Sequence, residues 1–355
     1  NQINSVVVSS DKITFLDINM ESTAIEMTEF VVTEYAVPLI SKDNTTGGGT
    51  VSKEEIMRMP GRSGAAIAET VGGVYSNDNG TGNQFIRGAR SDANYYFIDG
   101  MKVRGSSSLP QSSIEQVSVL MGGLPAQYGD VTGGVVSITT RGPSKEYHGG
   151  AEYVSSGYKF GENVVGFDKF GYNLLEFSLT GPVLMKKDQE GNKTEPLVGF
   201  FLAGNATSII DPRPSSIGYW QAKDNVLTSL QDNPLRPAPT GVGVFQNSGY
   251  TRLSDFEKVR TTPNTNSNSI NLNAKLDFNT GPKTNFTVGG TFNYSKRRLY
   301  SEGNLLFNSP NNGERVDYTW RAFARFTQRF YSDKADENAK ASAIKNAFYS
   351  IQVDY

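Results

Sequence analysis

From about Ala151 onward the chain repeats one format, in which apolar and polar residues alternate strictly over about ten residues and a polar gap follows. Thr284 to Ser295 puts Phe286, Val288, Gly290, Phe292 and Tyr294 on one face, with Asn285, Thr287, Gly289, Thr291 and Asn293 on the other. In Asn268 to Asn279, Leu272, Ala274, Leu276 and Phe278 alternate with Asn271, Asn273, Lys275 and Asp277. Tyr318, Trp320, Ala322, Ala324 and Phe326 oppose Arg321, Arg325 and Arg329, and Asn346 to Tyr355 alternates likewise. Similar runs lie near 148–160, 172–182 and 196–207. A soluble antiparallel sandwich also has strands with one apolar and one polar face. Two features favour a transmembrane antiparallel β-barrel. The segments approach the length that crosses a bilayer at a steep tilt, and aromatic residues gather at their ends (Tyr153, Phe177, Tyr294, Tyr318, Trp320, Tyr355). The gaps at 161–171, 208–267 and 296–316 alternate with those at 183–195, 280–283 and 331–344, as outer loops alternate with inner turns. About seven strands fit before Tyr355, an odd and unclosed set, so the expectation is part of a longer barrel, incomplete in this chain.

The pattern changes before Ala151. Between about Gly47 and Gly142, Ser52-Lys53-Glu54-Glu55 fits a capping box leading into a helical turn before Pro60, and a short helix is expected from Ser63 to Thr70. Short strands follow at Asn83 to Gly88, Asn94 to Gly100, Ile114 to Met121 and Gly133 to Thr140, which together predict a small α+β domain. Asn1 to about Met27 alternates like the end of a β-domain. EFVVTEYAVPLISKDNTTGGGT then reads as an extended linker, since Pro38 and Gly47 to Gly49 prevent regular structure.

Composition narrows the function. Thirty-seven Gly, 17 Tyr and 20 Phe, in a chain only 37% hydrophobic, suit β-structure. A net charge of -2 offers no global field for nucleic acid. With no cysteine and one histidine, His148, thiolate chemistry, zinc clusters and most histidine-based catalysis are excluded, and no enzyme is expected. The start, NQINSVVVSS, lacks the basic flank and apolar core of a signal peptide, as a processed chain would. The longest apolar run, Pro196 to Gly204, is far short of the roughly 20 residues of a membrane helix. The glycine-rich stretch IEQVSVLMGGLPAQYGDVTGGVVSITT lacks the Lys of a phosphate-binding loop, so its glycines are read as folding two strands together, with Leu124 to Tyr128 as a short turn or helix.

That stretch, preceded by FIRGARSDANYYFIDGMKV, resembles the plug domain of TonB-dependent outer-membrane receptors: a strand ending in Arg-Gly, a strand ending in Asp-Gly, then the Ile-Glu-x-Val strand and a Tyr-Gly turn. The resemblance covers roughly Glu29 to Gly142 by motif and the barrel by pattern. It is closest to the Bacteroidetes-type receptors, in which a carboxypeptidase-regulatory-like β-sandwich precedes the plug. It implies four parts: 1–28, the tail of that sandwich; 29–46, TonB box and linker; 47–144, plug; 145–355, the N-terminal part of the barrel.

The resemblance also implies roles. Glu29-Phe30-Val31-Val32-Thr33 stands where the TonB box stands, a segment that pairs as a strand with TonB, although Phe30 departs from the usual Val; an ordinary linker strand is the alternative. Arg87 corresponds to an Arg that locks plug to barrel wall, with Glu176 and Asp277 as candidate partners, against a surface ion pair of little energy. Asp99, Gly100, Tyr128, Gly129, Gly133 and Gly134 form the plug's motif turns, whose plain reading is turn geometry and close approach. His148 reads as a hinge or interface residue. Tyr219 and Trp220, in the long segment Ser208 to Ser267, are candidate external-loop contacts or packing within that loop.

The function implied is TonB-dependent, proton-motive-force-coupled import across the bacterial outer membrane, with plug and N-terminus facing the periplasm and no cofactor, metal or catalytic residue. Its partners would be TonB with its inner-membrane motor proteins, outer-membrane lipid, and a surface lipoprotein or other outer-membrane subunits. The alternative is a plugged-barrel accessory subunit of a larger secretion, assembly or nutrient-capture complex.

Overall fold

The computed structural model describes residues 47–76, 84–103, 108–160, 163–187, 193–281, 283–331 and 346–355. These divide into two compact units, one comprising the chain up to Ser107 together with Ile114–Arg141, the other Ser108–Ser113 with Gly142–Tyr355.

The first unit is built on a five-stranded mixed sheet. Its elements are β1 (Gly47–Ser52), α1 (Lys53–Ile56), α2 (Gly64–Ala68), β2 (Val74–Ser76), β3 (Gln84–Ile86), β4 (Tyr95–Ile98), β5 (Met101–Lys102), β6 (Ile114–Gly122) and β7 (Val135–Thr140). The sheet order is β1-β6-β7-β4-β5, with β4 and β7 parallel and the other pairs antiparallel; β2 and β3 form a separate ribbon. The capping box is present: Glu55 Oε2 accepts from the Ser52 backbone N–H at 2.8 Å. The second helix is shorter than Ser63 to Thr70, because Ser63 serves as its N-cap, accepting from Ala66 N–H at 3.1 Å, and Glu69 as its C-cap. Ile56, Ile67, Ile86, Ile98, Val117 and Ile138 are fully buried, as in a water-soluble core. Phe97 and Tyr128 meet edge to face at 5.0 Å within the cluster that also holds Leu120 and Val135.

The second unit is a seven-stranded antiparallel meander: β8 (His148–Ser155), β11 (Tyr172–Lys187), β12 (Lys193–Ile209), β17 (Ser267–Gly281), β18 (Thr284–Arg298), β19 (Glu314–Tyr331) and β20 (Asn346–Asp354), each beside the next. The strand number agrees with the alternation. The lengths do not, since β11, β12, β17, β18 and β19 run to 15–18 residues. The extra residues are mostly polar strand ends, with Val183, Leu184 and Met185 of β11 the exception; Lys296 and Arg298 of β18 both pair with Glu314 of β19, at 2.9 and 3.5 Å, where a loop was expected.

At one end β17 and β18 close tightly, Gly281 pairing with Thr284. At the other end the connections carry structure of their own. The ribbon β9 (Gly157–Phe160) with β10 (Asn163–Gly166) fills the gap after β8. The segment expected to hold little strand contains β13 (Tyr219–Ala222), α3 (Asp224–Asp232), β14 (Leu235–Pro237), β15 (Val244–Gln246) and β16 (Phe256–Val259), with β13 paired to β16 and β14 to β15. No residue of α3 is fully buried; Val226, Leu227 and Leu230 form a short apolar stripe that is half-buried.

The faces of the large sheet are inverted relative to a soluble protein. Trp320, Tyr318, Ile351 and Val353 on one face are 52, 73, 59 and 70% exposed, whereas Asn273, Asn293, Glu176 and Arg321 on the other are 1, 5, 4 and 7% exposed. An apolar surface presented outward and a polar one turned inward are what lipid outside and a hydrated lumen require. Among the described residues no helix is long and apolar enough to cross a membrane.

Candidate functional site

The residues singled out in the first unit are held by specific bonds. Asp99 (φ +51°) and Gly100 (φ +85°) make the two-residue turn joining β4 to β5, both with the positive φ that a type I′ turn demands. Asp99 also reaches the neighbouring strand. Its Oδ1 accepts from the Thr140 backbone N–H at 3.0 Å and its Oδ2 from the Thr140 hydroxyl at 2.7 Å, which ties the turn to the end of β7. Gly133 and Gly134 are places of close approach: a Cβ on Gly134 would stand 2.6 Å from Ile86 side-chain atoms, and one on Gly133 2.7 Å from the Ala93 carbonyl oxygen. Tyr128 closes a 3₁₀ turn, Ala126–Tyr128, and Gly129 follows it with φ +33°.

Arg87 has φ +50° and donates its backbone N–H to the Gly73 carbonyl at 2.9 Å. Its guanidinium lies over two glycines. A Cβ on Gly47 would come within 2.9 Å of Nη2, and one on Gly122 within 3.0 Å of Nη1, so bare backbone on β1 and β6 makes the space the side chain fills. It lines a cavity of about 620 Å³ that also touches Glu55, Met59 and Met121. Nearby, Tyr96 donates its hydroxyl to Gln84 Oε1, and burial, reinforced by the charge of Glu69, raises its phenol to about 12. The TonB-box candidate Glu29 to Thr33 lies outside the described residues.

In the second unit, Ser108–Ser113 docks on the polar face of the sheet. Glu176 Oε1 accepts from the Ser112 backbone N–H at 2.6 Å, and Asn293 Nδ2 donates to the Ser108 carbonyl at 2.7 Å. Behind that contact runs a row of amides: Asn293 Nδ2 also donates to Asn271 Oδ1 and Asn271 Nδ2 to Asn205 Oδ1, each at 2.8 Å. Asp277 lies toward the tight-turn end, lining a cavity of about 310 Å³ with Lys145, Glu195 and Arg329. His148 is the exposed first residue of β8, and among the described residues no cluster of His, Asp and Glu could hold a metal ion.

At the long-loop end there is a cavity of about 470 Å³ whose wall includes Tyr219, while Trp220, 41% exposed, is not part of that wall. Asp211, Arg213, Thr262, Arg297 and Tyr300 also line it. The sequence reading missed these five. The single local signal was Asp-Pro-Arg at 211–213, an Asx-type turn in which Asp211 Oδ1 accepts from Arg213 N–H at 3.0 Å. Asp211 Oδ2 accepts from Thr262 N–H at 2.6 Å, which draws two distant loop segments together.

This architecture is that of a transmembrane antiparallel β-barrel, incomplete in this chain, with an α+β plug domain. Residues 41–136 match the family model of the TonB-dependent Receptor Plug Domain. The chain is 30% identical over 148 residues to the TonB-dependent transporter Oar of Myxococcus xanthus, and 31% identical over 163 residues to the Ferrienterobactin receptor of Escherichia coli K12. These alignments cover 37 and 39% of this chain, which spans only 14 and 21% of the two relatives. The solved structure of Pseudomonas aeruginosa FpvA bound to a heterologous pyoverdine is similar at a TM-score of 0.52 and 13% identity, over 81% of this chain and 32% of that one, and shares the fold.

Proposed function

We propose that this chain is the plug and the beginning of the barrel of a TonB-dependent receptor, which imports a ligand across the bacterial outer membrane and performs no covalent chemistry. The observation that carries the reading is the pairing of a plug-family match at 41–136 with a sheet whose apolar face is exposed and whose polar face is buried. The two sequence relatives, a TonB-dependent transporter and a receptor, support the same reading. In it, the long-loop end faces outside and the tight-turn end the periplasm, where Glu29 to Thr33 adds as a strand to TonB. The name of the E. coli relative brings ferric chelates among the candidate ligands without selecting them.

Deleting Glu29 to Thr33 tests this. Uptake of the ligand that supports growth should fall to the level of a strain lacking TonB, with the receptor still assembled in the outer membrane. Unchanged uptake would remove the energy-coupled reading and leave the accessory-subunit role.

A further inference from the structure

The cavity at the long-loop end is rich in donors and poor in free acceptors. Its carboxylate, Asp211, is 1% exposed and already accepts from two backbone N–H groups. Arg213 and Arg297 have no carboxylate partner among the described residues, in contrast to Arg298, which is held by Glu314. Arg297 of β18 stands directly opposite Arg315 of β19, a like-charge pair in register that ordinarily destabilises a sheet. Arg315 is relieved by Asp317, at 2.8 Å; Arg297 is not. The hydroxyl of Thr262, a residue 6% exposed, is buried in the wall without a hydrogen-bond partner. Tyr219 and Tyr300 add aromatic surface. Tyr300 is held above the ordinary phenol value by desolvation first and then by Glu302 and Tyr219, so it stays a neutral donor.

A neutral polyol needs acceptors as much as donors, and a cation needs carboxylates. Two unengaged guanidiniums beside two phenols suit an oxyanion carried on a planar ring. The register also sets the direction of approach. Ile209, Ser267 and Arg297 are mutual partners across β12, β17 and β18 and continue the same face as Asn205, Asn271 and Asn293, the polar one. The cavity is therefore reached from the aqueous side rather than from lipid.

We propose that this cavity is a binding site for a soluble ligand bearing a carboxylate or phosphate next to an aromatic ring, with Arg213 and Arg297 as the anion-binding residues and Tyr219 and Tyr300 as the ring contacts. The proposal rests on the import reading only in taking the long-loop end to face outward. The test is calorimetric titration of the complete receptor in detergent with phenyl phosphate, benzoate and uncharged benzyl alcohol. The anions should bind about tenfold or more tightly than benzyl alcohol, R297Q and R213Q should each weaken anion binding about tenfold, and R297K should fall between. W220F should bind as the parent does. Equal binding of charged and uncharged probes, no binding of any probe, or an unaltered R297Q would overturn it. If R297Q does not fold, the ranking of probes on the parent receptor and its loss with added salt decide the matter. Failure here leaves the import reading to stand or fall on the Glu29 to Thr33 deletion.

Discussion

The two sheets use the same alternation of side chains and turn it in opposite directions. In the plug, β6 and β7 bury Val117, Val119, Val136 and Ile138 completely on one face, and the polar residues between them, Gln116, Ser118 and Ser137, are covered on the opposite face. In the barrel sheet most apolar residues lie on the exposed face, and Asn273, Thr291 and Asn293 are buried on the other, together with a few inward apolar residues such as Phe201 and Phe323. The period is set by backbone geometry and is shared; the solvent beyond each face decides which half of the pattern is the inside. A hydrophobicity profile alone therefore cannot separate the two. Strand length, aromatic ends and gap parity do.

The contrast can be broken most severely in the plug. Val117→Asp places an uncompensated charge where no solvent reaches and should cost about 3–5 kcal/mol, enough to unfold a small domain. In the complete protein, limited proteolysis should then cut within 47–141 while the barrel keeps its heat-modifiable gel mobility. Full protection of that region would contradict the buried core described here.

On the barrel, neighbouring positions should differ. Val288→Arg puts a charge on the lipid-facing side and should cost about 2–4 kcal/mol near the membrane midplane, whereas Thr287→Arg points to the polar face, opposite Asp277, and should be nearly silent. Urea titration of folding into lipid vesicles measures both. Equal losses would remove the inverted-face reading.

The smallest effects concern pH, and they act at opposite ends of the scale. Tyr96, raised to about 12, binds its proton more tightly folded than unfolded. Its contribution is fully present below the unfolded phenol value near 10 and is lost as pH rises toward 12, a loss that Tyr96→Phe should abolish. Asp168, in the loop before β11, is held below the usual carboxylate range by the Gly171 backbone N–H first and then by the Ser156 hydroxyl. Its contribution is present above the unfolded value near 4 and lost as pH falls through the lower folded one. Protection against hydrogen exchange, taken relative to the intrinsic rate at each pH, should fall at Ser156 and Gly171 only in acid, and at Tyr96 and its β-ladder neighbours only in alkali.

What the sequence disclosed follows from range. TNFTVGGTFNYS announced its faces because the residues from Phe286 to Ser295 each meet partners in both β17 and β19, most of which obey the same alternation. The capping box at Ser52 and the Asp99-Gly100 turn were visible because their chemistry closes within a few residues. The true ends of β18 and β19 were hidden, since Lys296, Arg298 and Glu314 extend the ladder by ion pairing beyond the apolar band, where hydropathy has nothing to report. The loop cavity was hidden more deeply. Asp211 and Thr262 are 51 residues apart, and Arg297 arrives from another strand, so no local spacing marks their meeting.

The amide row Asn205, Asn271 and Asn293 has a direction. Both donors of the Asn293 amide are engaged, one with the Ser108 carbonyl and one with Asn271, and Asn271 in turn donates to Asn205. Each link fixes which way the next amide faces, like a line of compass needles. If Ser108 leaves the wall, Asn293 loses the acceptor that sets its heading, and the freedom to rotate passes through Asn271 to Asn205, two strands away. A backbone carbonyl at one end of the row is thereby registered at the other by orientation alone, with neither a proton nor a charge moving.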